Sequence, residues 1–152
     1  MLPAGRVDPV ILGHLLCQHR DLHARLLALR ADFAADPATP PPLDAIRHRL
    51  VDLRDHLRDH FDQEETGGFL EESIARMPRL SAAAREVVAE HPQLLAEIDA
   101  LLASLPGRNL RAEVWQEAAR RFATFTDHLL AHERNENAVV QQGYNEDFGF
   151  GD

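Results

Sequence analysis

The sequence predicts an all-α fold, an antiparallel up-down-up-down four-helix bundle with an internal pseudo-twofold repeat. Three observations predict it. Four amphipathic segments of about 25 residues are separated by Pro- and Gly-rich breaks, the spacing that an antiparallel bundle needs. No stretch shows the period-two alternation of a strand. And the chain matches itself when displaced by 72 residues. With 152 residues, 45% hydrophobic and 27% charged, it has the balance of one ordinary globular domain with a sizeable core.

The first helix runs roughly from Asp8 to Ala35 and ends at Asp36-Pro-Ala-Thr-Pro-Pro-Pro42. The second runs from Leu43 to Thr66, where Gly67-Gly68 weaken it, and Phe69 to Met77 continue for a further turn or two before Pro78. The third starts at Ser81, an expected N-cap, and runs to Leu105, closed by Pro106-Gly107. Pro92 lies inside it and predicts a kink or a lost backbone bond. The fourth runs from Asn109 to Gln142. The bundle therefore occupies residues 1–142, and 143–152 (GYNEDFGFGD) form a Gly-rich, aromatic, acidic tail.

Composition excludes several function classes. The net charge of −9 argues against nucleic acid and anionic membrane as partners, since both need a positive footprint. A single cysteine, Cys17, excludes an internal disulfide framework and a Cys-rich zinc module, and fits a reducing cytoplasm. The start of the chain lacks the basic n-region of a signal peptide, and no run approaches the roughly 18 apolar residues of a membrane span. The expected state is a monomer or weak homodimer in the cytoplasm.

Nine histidines are the unusual feature. On the first helix, Leu12, Leu15, Leu16, Leu22, Leu26 and Phe33 fall within about 60° of His19. On the third, the arc around His91 holds Ala84, Val87, Val88, Leu94, Leu95, Ile98, Leu102 and Leu105. Both imidazoles point into a core, an odd place unless something there needs them. The 72-residue shift lays His19 over His91, His56 over His128, His60 over His132 and Glu64 over Glu136. About 80 aligned positions should give roughly 0.3 His–His matches by chance. The chain reads as a duplicated helical hairpin.

Residues i and i+4 lie one above the other on a helix face. His60-x-x-x-Glu64 and His132-x-x-x-Glu136 thus each offer an imidazole and a carboxylate from one face. A lone inward histidine is more often a hydrogen-bonded core residue, and a lone His-x-x-x-Glu more often a surface pair. Six such groups related by one offset are different, because buried together without a metal they would be poorly paired. Four imidazoles and two carboxylates converging in a bundle make a two-metal site, with nitrogen ligands terminal and carboxylates able to bridge.

The order His, His-x-x-x-Glu, His, His-x-x-x-Glu on four successive helices resembles the hemerythrin-like (HHE cation-binding) family over nearly the whole chain. The resemblance implies that His19, His60, Glu64, His91, His132 and Glu136 hold a non-haem di-iron centre, two iron ions joined by an oxo or hydroxo bridge and by both glutamates. It implies a small diatomic or peroxide ligand: dioxygen, nitric oxide or peroxide, with catalase- or peroxidase-like turnover as an expected activity. The oxygen carriers of the family have a second histidine four residues after the first on one helix, whereas this chain has glutamate there in both halves. Ferritin-like proteins use Glu-x-x-His, the reverse order, which helices two and four do not carry. Imidazole and carboxylate do not choose iron by themselves, so zinc or manganese, or storage and sensing without turnover, are the alternatives.

His23 lies one turn beyond His19, where the repeat places Leu95 in the third helix. It is either a further ligand or a residue that orients the ligands from behind; as a ligand it would fill the metal position near helices one and two, leaving an open position beside Leu95 for the small ligand. His56 and His128 are expected to orient the ligands from behind, with Glu133 an additional carboxylate next to His132. His14 and His48 lie about 120–140° off the stripe and read as surface. Cys17 reads as a small packing residue, and Tyr144 and the tail phenylalanines as a cap on the site or an anchor for the terminus.

Overall fold

Five helices and no strand make up the described residues (9–36, 38–66, 69–108 and 111–147) of the computed structural model: α1 (Pro9–Phe33), α2 (Leu43–Thr66), α3 (Phe69–Arg76), α4 (Ser81–Ser104) and α5 (Ala112–Asp147). The sequence's third and fourth helices are α4 and α5, and the extra turns after Thr66 are a separate helix, α3. Among the described residues no helix is long and apolar enough to cross a membrane.

The helix ends follow local chemistry. Between α1 and α2 the chain turns where the Ala38 N–H donates to Asp36 Oδ1 at 2.9 Å, and Pro42 offers its carbonyl to the N–H groups of Ala45 and Ile46, opening α2. Ser81 is not an N-cap. Its φ of −60° and ψ of −37° are already helical, and a 3₁₀ turn at Pro78–Leu80 leads straight into α4, with the Ser81 N–H donating to Pro78. Backbone continuity does the capping there, so no hydroxyl is needed. The helix also runs on through Pro92, whose ring lies on the exposed face. At the other end, α5 continues five residues past the expected stop at Gln142. Val139 and Val140 pack into the cluster beneath α3, and that docking outweighs the modest helix cost of Gly143. Residues 148–152, and the side chains of Tyr144 and His14, lie outside the described residues.

Apolar side chains form two clusters. The larger spans α1, α2, α4 and α5 and includes Leu22, Leu29, Leu50, Leu57, Leu94, Ile98, Phe122 and Leu129. The smaller joins Leu70 of α3 and Leu80 to Ala84 and Val87 of α4 and to Val139 and Val140 of α5. Following α2 and α5 along the chain leads from the larger cluster through His60–Glu64 or His132–Glu136 toward the smaller. Along α4 the order is the reverse, and α1 enters the larger cluster after His19. This alternation is compatible with an up-down-up-down four-helix bundle. A polar layer thus interrupts the core.

Two hydrophobic assignments need correction. Leu16 sits at the edge of the His19 arc and is 47% exposed, and Cys17 is exposed with a free thiol rather than packed. Leu29, outside the arc, is fully buried, so the buried stripe of α1 is rotated slightly toward it.

Candidate metal centre

Six buried side chains fill the polar layer: His19 from α1, His60 and Glu64 from α2, His91 from α4, and His132 and Glu136 from α5. They fall into two groups of four. His19, His60, Glu64 and Glu136 bring one nitrogen or oxygen each to within 4.8 Å of one another, and so do Glu64, His91, His132 and Glu136. Both glutamates belong to both groups. The arrangement follows from helix geometry, because the unbroken α2 and α5 present residues four apart on one face.

The contacts within the layer are close but poorly aligned. His19 Nε2 lies 2.9 Å from Glu136 Oε1 in a hydrogen bond. His91 Nε2 lies 3.1 Å from Glu64 Oε2, and His132 Nε2 3.4 Å from Glu136 Oε2. Neither approach has the geometry of a hydrogen bond, and those four atoms have no hydrogen-bond partner. His60 Nε2 abuts Glu64 Oε1, which is likewise without one. Buried polar atoms are almost always paired, so orphans concentrated on one cluster point to a missing binding partner. Apolar support comes from Phe61, whose ring stacks on His91 at 3.8 Å and 7° and meets His132 edge-on at 5.3 Å.

Charge and burial pull these imidazoles apart. Burial drives the pKa of His60 down from 6.5 to about 4, against the attraction of Glu136 and with the help of the neighbouring His19. Burial also opposes protonation of His19 and His132. There the hydrogen bond of His19 to Glu136, the close approach of His132 to the same side chain and the surrounding carboxylates outweigh it, and both values are raised.

Behind the layer lie residues that the sequence did not single out. The Nδ1–H of His60 donates to Gln18 Oε1 at 2.5 Å, and the Gln18 amide in turn donates to Gln63. His132 Nδ1 faces Glu90 Oε1 at 3.6 Å, and His91 Nδ1 faces Glu65 Oε2 at 3.6 Å. One signal could have found two of them: Gln18 and Glu90 immediately precede His19 and His91 and are themselves 72 residues apart.

His23 joins neither group. Its side chain is 48% exposed, and its Nε2 lies 2.6 Å from Oε2 of Glu133, which is itself buried. Each group therefore has two imidazoles, and the third imidazole that was to make one position fuller is absent from it. His128 donates from Nδ1 to Glu97 at 2.7 Å instead of backing a site residue. His56 Nε2 is buried with no hydrogen-bond partner, and burial lowers its pKa. His48 is exposed, as its angle predicts, and Leu95 packs half-buried against the larger apolar cluster. A cavity of about 320 Å³ reaches the layer from another side, lined by Glu64, Glu65, Leu70, Ile74, Ala84 and Val88.

No protein family, curated protein or solved structure matches this chain in sequence or fold comparison.

Proposed function

We propose that this protein is a hemerythrin-like four-helix bundle whose polar layer holds two metal ions, iron in the working form. His19 and His60 would serve one ion, His91 and His132 the other, with Glu64 and Glu136 shared. The observation that carries this reading is the pair of overlapping four-residue groups with two common carboxylates. Two imidazoles and two carboxylates per position suit a divalent first-row metal, and the unpartnered buried atoms of Glu64, His91, His132 and Glu136 fit such a group. His23 stands outside the ligand set because Glu133 takes its nitrogen.

A di-iron pair supplies reversible change of oxidation state and open positions for dioxygen, nitric oxide or peroxide. The residues around it supply selection. The cavity beside Glu64 and Glu65 gives a small molecule a route to the layer, lined by Leu70, Ile74, Ala84 and Val88 together with Glu71 and Arg85. Phe61 and the adjoining apolar cluster keep bulk water away from His91 and His132.

The test is reconstitution of metal-free chain with ferrous iron under anaerobic conditions, followed by metal analysis and absorption spectra before and after dioxygen, nitric oxide and peroxide. Two irons per chain and a spectral change with at least one of the three are expected. One ion or none would overturn the two-metal reading. Two ions with no response, together with equal retention of zinc or manganese, would replace redox chemistry by a holding role.

A further inference from the structure

The repeat that duplicates the ligands does not duplicate what stands behind them. At the position beside His91 and His132, both outward-facing imidazole nitrogens look at a carboxylate, Glu65 and Glu90, each at 3.6 Å. Both nitrogens are buried and have no hydrogen-bond partner. Shifting by 72 residues converts each carboxylate into an amide. Glu90 becomes Gln18, which accepts from His60 Nδ1 at 2.5 Å, and Glu65 becomes Asn137. The exchange removes charge twice, on the same side of the pseudo-twofold, keeping the side-chain length at Gln18 and shortening it by one methylene at Asn137.

That difference has a chemical consequence. A carboxylate on the distal nitrogen makes an imidazole a stronger donor and stabilises the positive charge it helps to hold, whereas an amide orients the ring without adding charge. Glu65 and Glu90 are also 43% and 35% exposed in their side chains, so neither is committed to another buried partner and each has room to close the last few tenths of an ångström.

We propose that the two cation positions are inequivalent: Glu65 and Glu90 are positioning residues that make the His91–His132 position the tighter, first-filled one, while the His19–His60 position, oriented by Gln18, fills second. This rests on the two-metal reading above. It replaces the asymmetry expected from His23 and Leu95 with one carried by outer carboxylates.

Cobalt(II) titration of the metal-free chain tests it, with visible absorption and competition by a colorimetric chelator as readouts. Two steps are expected. The tighter should persist in His19→Ala and disappear in His91→Ala. Glu90→Gln and Glu65→Gln should each weaken the tight step about tenfold and leave the weak step in place. Gln18→Glu should instead strengthen the weak step, a gain that a misfolded variant cannot mimic. Nitrogen-15 NMR of the imidazoles gives a readout independent of affinity: the Nδ1 signal of His132 should shift in Glu90→Gln and that of His60 should not. A single step unmoved by all three outer substitutions, or a tight step surviving in His91→Ala, overturns the inequivalence while leaving the two-metal reading intact. A wild-type chain that takes up no cobalt overturns both.

Discussion

At the scale of single residues, the six site residues were legible because a duplication made them so; three histidine pairs and one glutamate pair recur at one offset. Angular position on a helix wheel was less informative. It placed His23 and His19 on one stripe, but the His23 side chain is half-exposed against Glu133 whereas His19 is buried. A wheel gives direction and not depth. Gln18, Glu65 and Glu90 were harder to read because the imidazoles they face sit on a neighbouring helix, and only the 72-residue offset marks Gln18 and Glu90. The assignment makes unequal demands on histidines: His132→Ala is expected to lose at least one metal per chain, and His48→Ala, on the exposed face of α2, none, as metal analysis will show. Phe61→Ala should destabilise the chain by about 3–5 kcal/mol in chemical denaturation, because it empties a fully buried site and removes the ring against His91. The imidazoles also set a pH dependence for the metal-free chain. His60 titrates at about 4 when folded and near 6.5 when unfolded, so the unfolded chain binds the extra proton and stability falls as pH drops from 6.5 toward 4, by on the order of 3 kcal/mol. His19 and His132 have raised values, so their contribution is complete below 6.5 and is lost as pH climbs through those raised values. These three groups together put the stability maximum of the metal-free chain near pH 6.5, which urea midpoints across pH 4–9 will check. Because ligation needs neutral imidazoles, cation uptake just above that pH should release protons into a weakly buffered solution.

At the scale of elements, boundaries set by proline were readable and boundaries set by docking were not. Leu43 and Thr66 delimit α2 as the sequence predicts, since Pro42 opens it and two glycines follow it. The end of α5 depends instead on Val139 and Val140 meeting the cluster under α3, a contact that no local propensity encodes. Ser81 carries the same lesson in reverse: its residue type suits an N-cap, but the preceding 3₁₀ turn makes a cap unnecessary. Ser81→Ala should therefore change stability by less than about 0.5 kcal/mol, where loss of a true N-cap costs about 1. Calorimetry of the two chains distinguishes these values.

At the scale of the whole molecule, the four long helices contribute to a buried polar layer that is unfavourable when empty and that a bound cation would make favourable. Buried carboxylates and imidazoles without aligned partners work against folding, and cations that bound only the folded chain would offset this by mass action. Removing metal with a chelator is expected to lower the melting temperature without abolishing helical structure, because the larger apolar cluster is continuous through α1, α2, α4 and α5. An unchanged melting temperature would show that the layer is not organised around a cation.

The same layer divides the apolar interior into unequal blocks, and the division reaches into time as well as space. The block beneath α3 is small, and only the polar layer separates it from the larger one. With the layer filled, both blocks should open together and their amide hydrogens should exchange with solvent at similar, slow rates. With it empty, the amides of α3 and of α5 beyond Glu136 should exchange first, while those around Leu50 and Leu129 stay protected. A protease would then find α3 long before the rest of the chain came apart, so that a molecule without its cations carries a shorter lifetime than a filled one.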